Sequence, residues 1–138
     1  MITFETLRYK NFLSAGNTFT TIPLSGNKTN LIVGKNGSGK STILDAITYG
    51  LFNKPFRKIN KPQLINSVNN GDCMVEIEFS LNNKKYKIVR GIKPNIFEIY
   101  ENSKMIHQDA AIKDYQQYLE ENILRMTYKA FCQIVVIG

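Results

Sequence analysis

The sequence predicts an α/β fold, and three features predict it. A short apolar run, Asn30-Leu31-Ile32-Val33, enters a glycine-rich stretch, and the segment from Ser41 to Phe52 then carries Ile43, Leu44, Ile47 and Leu51 at helical spacing. From Cys73 to Leu81 the apolar residues Cys73, Val75, Ile77, Phe79 and Leu81 alternate with Glu76, Glu78 and Ser80, the period of a half-buried strand. A second alternating run follows across Asn82-Asn83, a tight hairpin signal.

The other elements follow in chain order. Thr3 to Phe12 reads as a strand with Phe4, Leu7 and Tyr9 between basic residues, Ala15-Gly16-Asn17 as a turn, and Phe19 to Leu24 as a second strand closed by Ser25-Gly26-Asn27-Lys28. Asn30 to Val33 has the pattern of a strand buried on both faces. Residues 53–71 are polar, contain Pro55 and Pro62, and read as an excursion. Lys85 to Ile92 is a strand with Tyr86, Ile88 and Arg90 opposite Lys87 and Val89. Ile96 to Tyr100 and Lys104 to Ile106 are two short strands around Asn102-Ser103. Ala110 to Leu124 is helical, with Ile112, Tyr115, Leu119 and Ile123 in one stripe, and Thr127 caps a short helix reaching Cys132. Ile134 to Ile137 returns to a buried-strand pattern, and a chain finishing on such a run is expected to be part of a longer architecture or to pair with a second piece.

The chain has 138 residues, 43% hydrophobic and 21% charged, the size and composition of one folded domain. The longest unbroken apolar run, Ile134 to Ile137, is too short to span a bilayer, and the start has neither the basic head nor the apolar stretch of a secretory signal. Cys73 and Cys132 lie at no metal-ligand or redox spacing, so two free thiols in a cytoplasmic protein are expected. His107 is the only histidine, which disfavours a histidine-based metal site or triad. Residues 1–62 carry nine Lys/Arg and two acids, and the remainder nine of each sign, so the whole net charge of +7 lies in the first half. Such a balance suits a polyanionic partner, either nucleotide phosphates, a nucleic-acid backbone or both.

The strongest motif is Gly34-Lys35-Asn36-Gly37-Ser38-Gly39-Lys40-Ser41, which fits the spacing G-x-x-x-x-G-K-[ST] between a strand and a helix. Gly34, Gly37 and Gly39 let the main chain wrap closely around an anion. Main-chain amides from about Gly37 through Ser38 to Ser41 then form a nest at the positive end of a helix. Lys40 bridges the β- and γ-phosphates, Ser41 gives its hydroxyl to Mg²⁺, and Thr42 reaches the α-phosphate. Asn36 either sits beside the γ-phosphate or serves as a left-handed turn residue. The expected cofactors are ATP and Mg²⁺. No run of four apolar residues ends in Asp or Glu, so the Mg²⁺-binding acid and the water-orienting glutamate of a hydrolytic site are missing.

At Gly34–Thr42 the loop resembles that of the ATP-binding-cassette class, and Leu7-Arg8-Tyr9-Lys10-Asn11-Phe12-Leu13-Ser14 resembles the first strand and turn of its SMC-like branch. More narrowly, the chain resembles the ATPase subunit of the double-strand-break repair and recombination nuclease complex. Tyr49–Arg57, Arg90–Ile99 and Phe131–Gly138 resemble the version carried by large tailed phages. The resemblance spans almost the whole chain. It implies a P-loop NTPase of ABC/SMC type over residues 1–138, N-terminal lobe only, with a mixed sheet whose antiparallel region joins the phosphate loop and helix.

It further implies a coiled coil and a C-terminal lobe supplying the Mg²⁺-binding aspartate, the catalytic glutamate and the signature motif. Two complete heads would sandwich ATP as an ATP-dependent homodimer, bind double-stranded DNA and its ends, and control a partner nuclease in the cytoplasm, that of a host bacterium if phage-encoded. The isolated chain is then expected to bind ATP with little turnover. Leu13 replaces an arginine that contacts phosphates in many relatives, so only Ser14 carries over there. The family's Q-loop glutamine is expected just beyond Ile137-Gly138, and Gln133 lies several residues early. Lys54, Arg57, Lys58 and Lys61 read either as DNA-phosphate contacts or as a solvated loop. Two other readings stand beside this one: a non-catalytic DNA-binding or interaction module retaining the loop, and a transport-type cassette.

Overall fold

A computed structural model describes residues 2–13, 16–23, 38–54, 64–65, 71–93, 95–106 and 115–131. Strands β1 (Ile2–Lys10), β2 (Thr20–Pro23), β3 (Cys73–Leu81), β4 (Lys84–Ile92), β5 (Ile96–Glu101) and β6 (Lys104–Ile106) form a six-stranded sheet in the order β2-β1-β3-β4-β5-β6. Every pairing in it is antiparallel. The predicted strands at residues 30–33 and 134–137, which would make the sheet mixed, lie outside the described residues.

β3 and β4 occupy the positions that alternation predicts. Leu81 pairs with Lys84 across Asn82 and Asn83, whose φ values of 52° and 65° are the left-handed pair that a two-residue hairpin demands. Asn102 and Ser103 repeat this geometry between β5 and β6 at φ 50° and 70°. A bulge between Phe4 and Thr6 shifts the β1–β3 register. Asn11 leaves β1 at φ 50° and its amide nitrogen donates to Asn17 Oδ1 at 2.8 Å and to the Asp72 carbonyl at 3.1 Å, tying the strand exit to the start of β3.

One face of the sheet holds the core. Leu7, Tyr9, Cys73, Val75, Ile77, Phe79, Tyr86, Ile88 and Ile99 are buried there, with Phe79 and Tyr86 stacked at 5.4 Å. The opposite face is a lattice of charge. Arg8 meets Glu76 at 3.0 Å and Lys10 meets Asp72 at 3.2 Å, so two cations of the basic first half are matched by acids of the neutral second half. Lys84 and Lys85 are exposed and Lys87 lies 5.1 Å over the Tyr100 ring. Lys85 and Lys87 alternate with Tyr86 and lie on this solvated face, whereas Lys84 falls on the same side as Tyr86, its ammonium 3.9 Å from the Glu101 carboxylate.

Helix α1 (Ser38–Phe52) starts three residues before the predicted Ser41, because its first turn is polar and leaves no trace in apolar spacing. The single stripe expected of it understates its burial. Every residue from Ile43 to Phe52 is buried, including Asp45, Thr48 and Tyr49. The Thr48 hydroxyl donates to the Leu44 carbonyl at 2.9 Å. The Tyr49 hydroxyl is, among the described residues, a buried polar atom without a hydrogen-bond partner.

The predicted helix ending at Leu124 divides in two. Tyr115–Tyr118 (α2) is α-helical, and Leu119–Leu124 (π1) is a π-helix, a wide turn that presents Leu119, Ile123 and Leu124 to the core together. Ile112 lies outside the described residues. Tyr115 is buried, and its hydroxyl accepts from the Ile99 amide at 3.2 Å and donates to the Ile106 carbonyl. Residues 128–131 form the expected short helix. The Ala130 N–H donates to Thr127 Oγ1 at 3.1 Å, the capping contact that Thr127 predicts.

Buried titrating groups set an alkaline limit. Burial pushes the Cys73 thiol up to about 12, with Asp72 adding to it, and burial likewise raises Tyr49 well above the usual phenol range. The unfolded chain releases the Cys73 proton near pH 9 while the native chain keeps it, so stability falls as pH rises from 9 towards 12. Each such group contributes a slope of up to about 1.4 kcal/mol per pH unit. Cys73→Ala is expected to flatten the decline between pH 9 and 10, before tyrosines of the unfolded chain ionise. Urea midpoints at pH 8, 9 and 10 measure this, and parallel declines in the two proteins would contradict it.

Candidate nucleotide-binding site

The motif and the helix meet within the motif itself. Ser38, Gly39, Lys40 and Ser41 form the first turn of α1 and Thr42 follows, so five of the nominated residues sit at the positive end of a 15-residue helix. That first turn contains no acid. The amides of a first turn have no acceptor within their own helix, and an anion is the natural complement of such an end. Ser14, Gly34, Asn36 and Gly37 lie outside the described residues, as does Gln133.

The far end of α1 is held by residues to which sequence reasoning assigned no role. No basic residue occupies the last turn of the helix. Arg90 supplies that cation from β4: its Nε and one terminal nitrogen donate to the Gly50 carbonyl at 3.3 and 3.1 Å. Its guanidinium stacks 3.6 Å over the Phe97 ring, and a terminal nitrogen also donates to Gln116 Oε1. Gln116 Nε2 then donates to the Leu51 carbonyl and to Glu120 Oε2, both at 2.8 Å. Arg90 is 4% exposed, and desolvation lowers it to about 10, partly offset by Tyr49 and then Glu120. The available signal was an arginine at an inward position of β4, in register with Tyr86 and Ile88.

Close packing seats the helix. A Cβ on Gly50 would lie 2.5 Å from Ile77 Cδ1 and 3.3 Å from Val75 Cγ1. The bare glycine lets the last turn of α1 rest on β3.

Of the nominated DNA contacts, Lys54 is exposed, with its ammonium 4.7 Å over the Tyr128 ring. Arg57, Lys58 and Lys61 lie outside the described residues. Among the described residues no group of His, Cys, Asp or Glu is arranged to hold a metal ion, and no helix is long and apolar enough to cross a membrane.

A family model described as an AAA domain matches residues 6–135. Exonuclease subunit 2 of Enterobacteria phage T4 is 47% identical over 132 residues, which are 96% of this chain and 23% of that protein. The DNA double-strand break repair Rad50 ATPase of Sulfolobus acidocaldarius is 37% identical over 86 residues, 62% of this chain and 9% of that protein. This chain thus spans about a quarter of the length of the phage relative. Among solved structures, an Smc head domain with an extended coiled coil from Pyrococcus furiosus superposes with TM-score 0.59 at 18% identity, covering 94% of this chain and 35% of that one. A chain from structural work on ATP-driven dimerization and DNA-stimulated activation of SMC ATPases superposes with TM-score 0.53 at 21% identity, covering 97% of each chain. These superpositions bear out the expected SMC-type P-loop NTPase fold. By the match over residues 6–135, this chain belongs to the AAA domain family.

Proposed function

We propose that this chain is the ATP-binding N-terminal lobe of an ATPase head that controls a partner nuclease in DNA recombination and double-strand-break repair. The observation that carries the reading is the start of α1 inside the glycine-rich motif, with no acid in its first turn. The similarity to a phage protein named exonuclease subunit 2 supports the nuclease partner.

The residues present fit a Mg²⁺-bound triphosphate: a helix end free of acids, glycines at three motif positions, the Lys40 ammonium and the Ser41 hydroxyl. Gly34, Gly37, Ser38 and Gly39 offer main-chain amides, Lys40 offers charge, Thr42 and Asn36 offer polar contacts, and Ser14, which follows the first strand in sequence, adds one more. Ser41 offers the protein's oxygen ligand to the metal. ATP supplies the phosphoanhydride that such heads cleave. Cleavage needs an acid and a glutamate from a C-terminal lobe, and pairing of two complete heads, which suits a cytoplasmic protein acting on double-stranded DNA and its ends. Lys54, Arg57, Lys58 and Lys61 add DNA-phosphate contacts.

Titration of the purified chain with a fluorescent ATP analogue and Mg²⁺ is expected to show saturable binding, at least about tenfold weaker in Lys40→Ala. Equal affinity of the two proteins would remove the site. Hydrolysis is expected to appear only when the C-terminal lobe is added, and robust turnover by the chain alone would contradict the division of labour.

A further inference from the structure

Three elements converge on the amide of Gln116. Its oxygen accepts from Arg90, which β4 holds in place between β3 and β5. Both donor bonds of its nitrogen are used, one on the Leu51 carbonyl at the end of α1 and one on the Glu120 carboxylate of π1. An amide nitrogen has two N–H groups, so no donor capacity remains. A displacement of either α1 or π1 by more than a few tenths of an ångström stretches one of these bonds out of range.

π1 is itself an unusual winding. A π-turn is a rare, less favourable winding that resolves to α-helix by shifting one residue. The Glu120 carbonyl ends it by accepting the Arg125 N–H, an i→i−5 bond, and the Met126 N–H at 3.2 Å. Arg125 closes it in a left-handed conformation, φ 55° and ψ 40°, unusual for a side chain with a Cβ. Glu120 therefore faces both ways: its carbonyl terminates the wide turn, and its carboxylate reports to Gln116.

We propose that Gln116 couples the winding of the Leu119–Leu124 segment to nucleotide occupancy at the opposite end of α1. This inference rests on the nucleotide-binding reading above. α1 is a 15-residue rod with the phosphate motif at its first turn and the Gln116 contact at its last, so movement at one end reaches the other. Conversion of π1 towards α winding would advance the chain that follows, including the Thr127-capped helix, by about 1.5 Å.

Amide hydrogen exchange of the full chain with and without Mg-ATP tests the coupling, with ATP affinity measured on the same samples. The expected result is at least a threefold change in exchange at residues 119–126 on Mg-ATP addition in the wild type, and less than half that response in Gln116→Leu. Glu120→Ala, at a half-buried position, cuts only the π1 side of the contact and is expected to behave likewise if Gln116→Leu folds poorly. Nucleotide bound with unchanged exchange, or an undiminished response in the folded variants, overturns the coupling and leaves the nucleotide site intact. Absence of nucleotide binding by the wild type removes the site and the coupling together.

Discussion

Arg90→Met is expected to lower the unfolding free energy by about 3 kcal/mol, the scale of removing one partner from a buried charged contact. The substitution keeps much of the volume beside Phe97 but leaves the Gly50 carbonyl and the Gln116 oxygen without their donor. A buried acceptor stripped of its partner costs about 1–3 kcal/mol, and loss of a desolvated cation–aromatic contact about 2 kcal/mol more. Relief of a poorly solvated charge returns part of this, since burial already holds Arg90 down to about 10. The net loss amounts to roughly 10 °C in melting temperature for a domain of this size. Arg90→Lys keeps the charge without the planar fork and is expected to fall between wild type and Arg90→Met. Thermal melts of the three proteins decide it. A methionine variant as stable as the wild type would mean that the guanidinium contributes nothing to the seating of α1.

Gly50→Ala is expected to destabilise by about 2 kcal/mol although alanine is the better helix former. Propensity favours the substitution by about 1 kcal/mol. Against it, the new methyl would meet Ile77 Cδ1 at 2.5 Å and two further carbons at 3.3 Å. Ile77 and Val75 are fully buried, so the Ile77 side chain, the helix or the strand must shift, and overpacking of this kind costs about 1–3 kcal/mol or more. The conflict lies mainly with one removable atom. Ile77→Val deletes it, and the double variant is expected to be more stable than the sum of the single effects by about 1 kcal/mol or more. Additive behaviour in urea titrations would show that Ile77 has room to turn away.

The strands were legible wherever one face is wet. The alternation from Cys73 to Leu81 and the Asn82-Asn83 turn define β3, β4 and their register, because a one-residue slip would expose the buried set. The Thr127 cap was legible because capping is local chemistry. The motif was legible from residue types at fixed spacing, and α1 begins within it. The contacts holding the other end of α1 were not legible. Arg90 reaches partners 40 and 26 positions away, and nothing in an alternating strand states which inward residue will meet a helix terminus. Burial of Asp45 and Thr48 was hidden for a related reason: an amphipathic stripe describes a helix with one wet side, and from Ile43 onward α1 has none. The wide winding of Leu119–Leu124 leaves no mark in composition, since its apolar residues also suit an ordinary helix.

The strand order carries a consequence for how the chain acquires its shape. β3 to β6 form a ladder of neighbours joined by tight turns, whereas β1 lies beside β3 across a separation typified by Arg8 and Glu76, 68 positions apart. Closing so long a loop is an entropic cost met before any contact rewards it, while the short hairpins close cheaply. Loop-closure entropy therefore favours early formation of the local pairings, β3 to β6 and β1 with β2, and later docking of β1 on β3. The glycine-rich motif lies in sequence on the long segment that this β1–β3 pairing encloses.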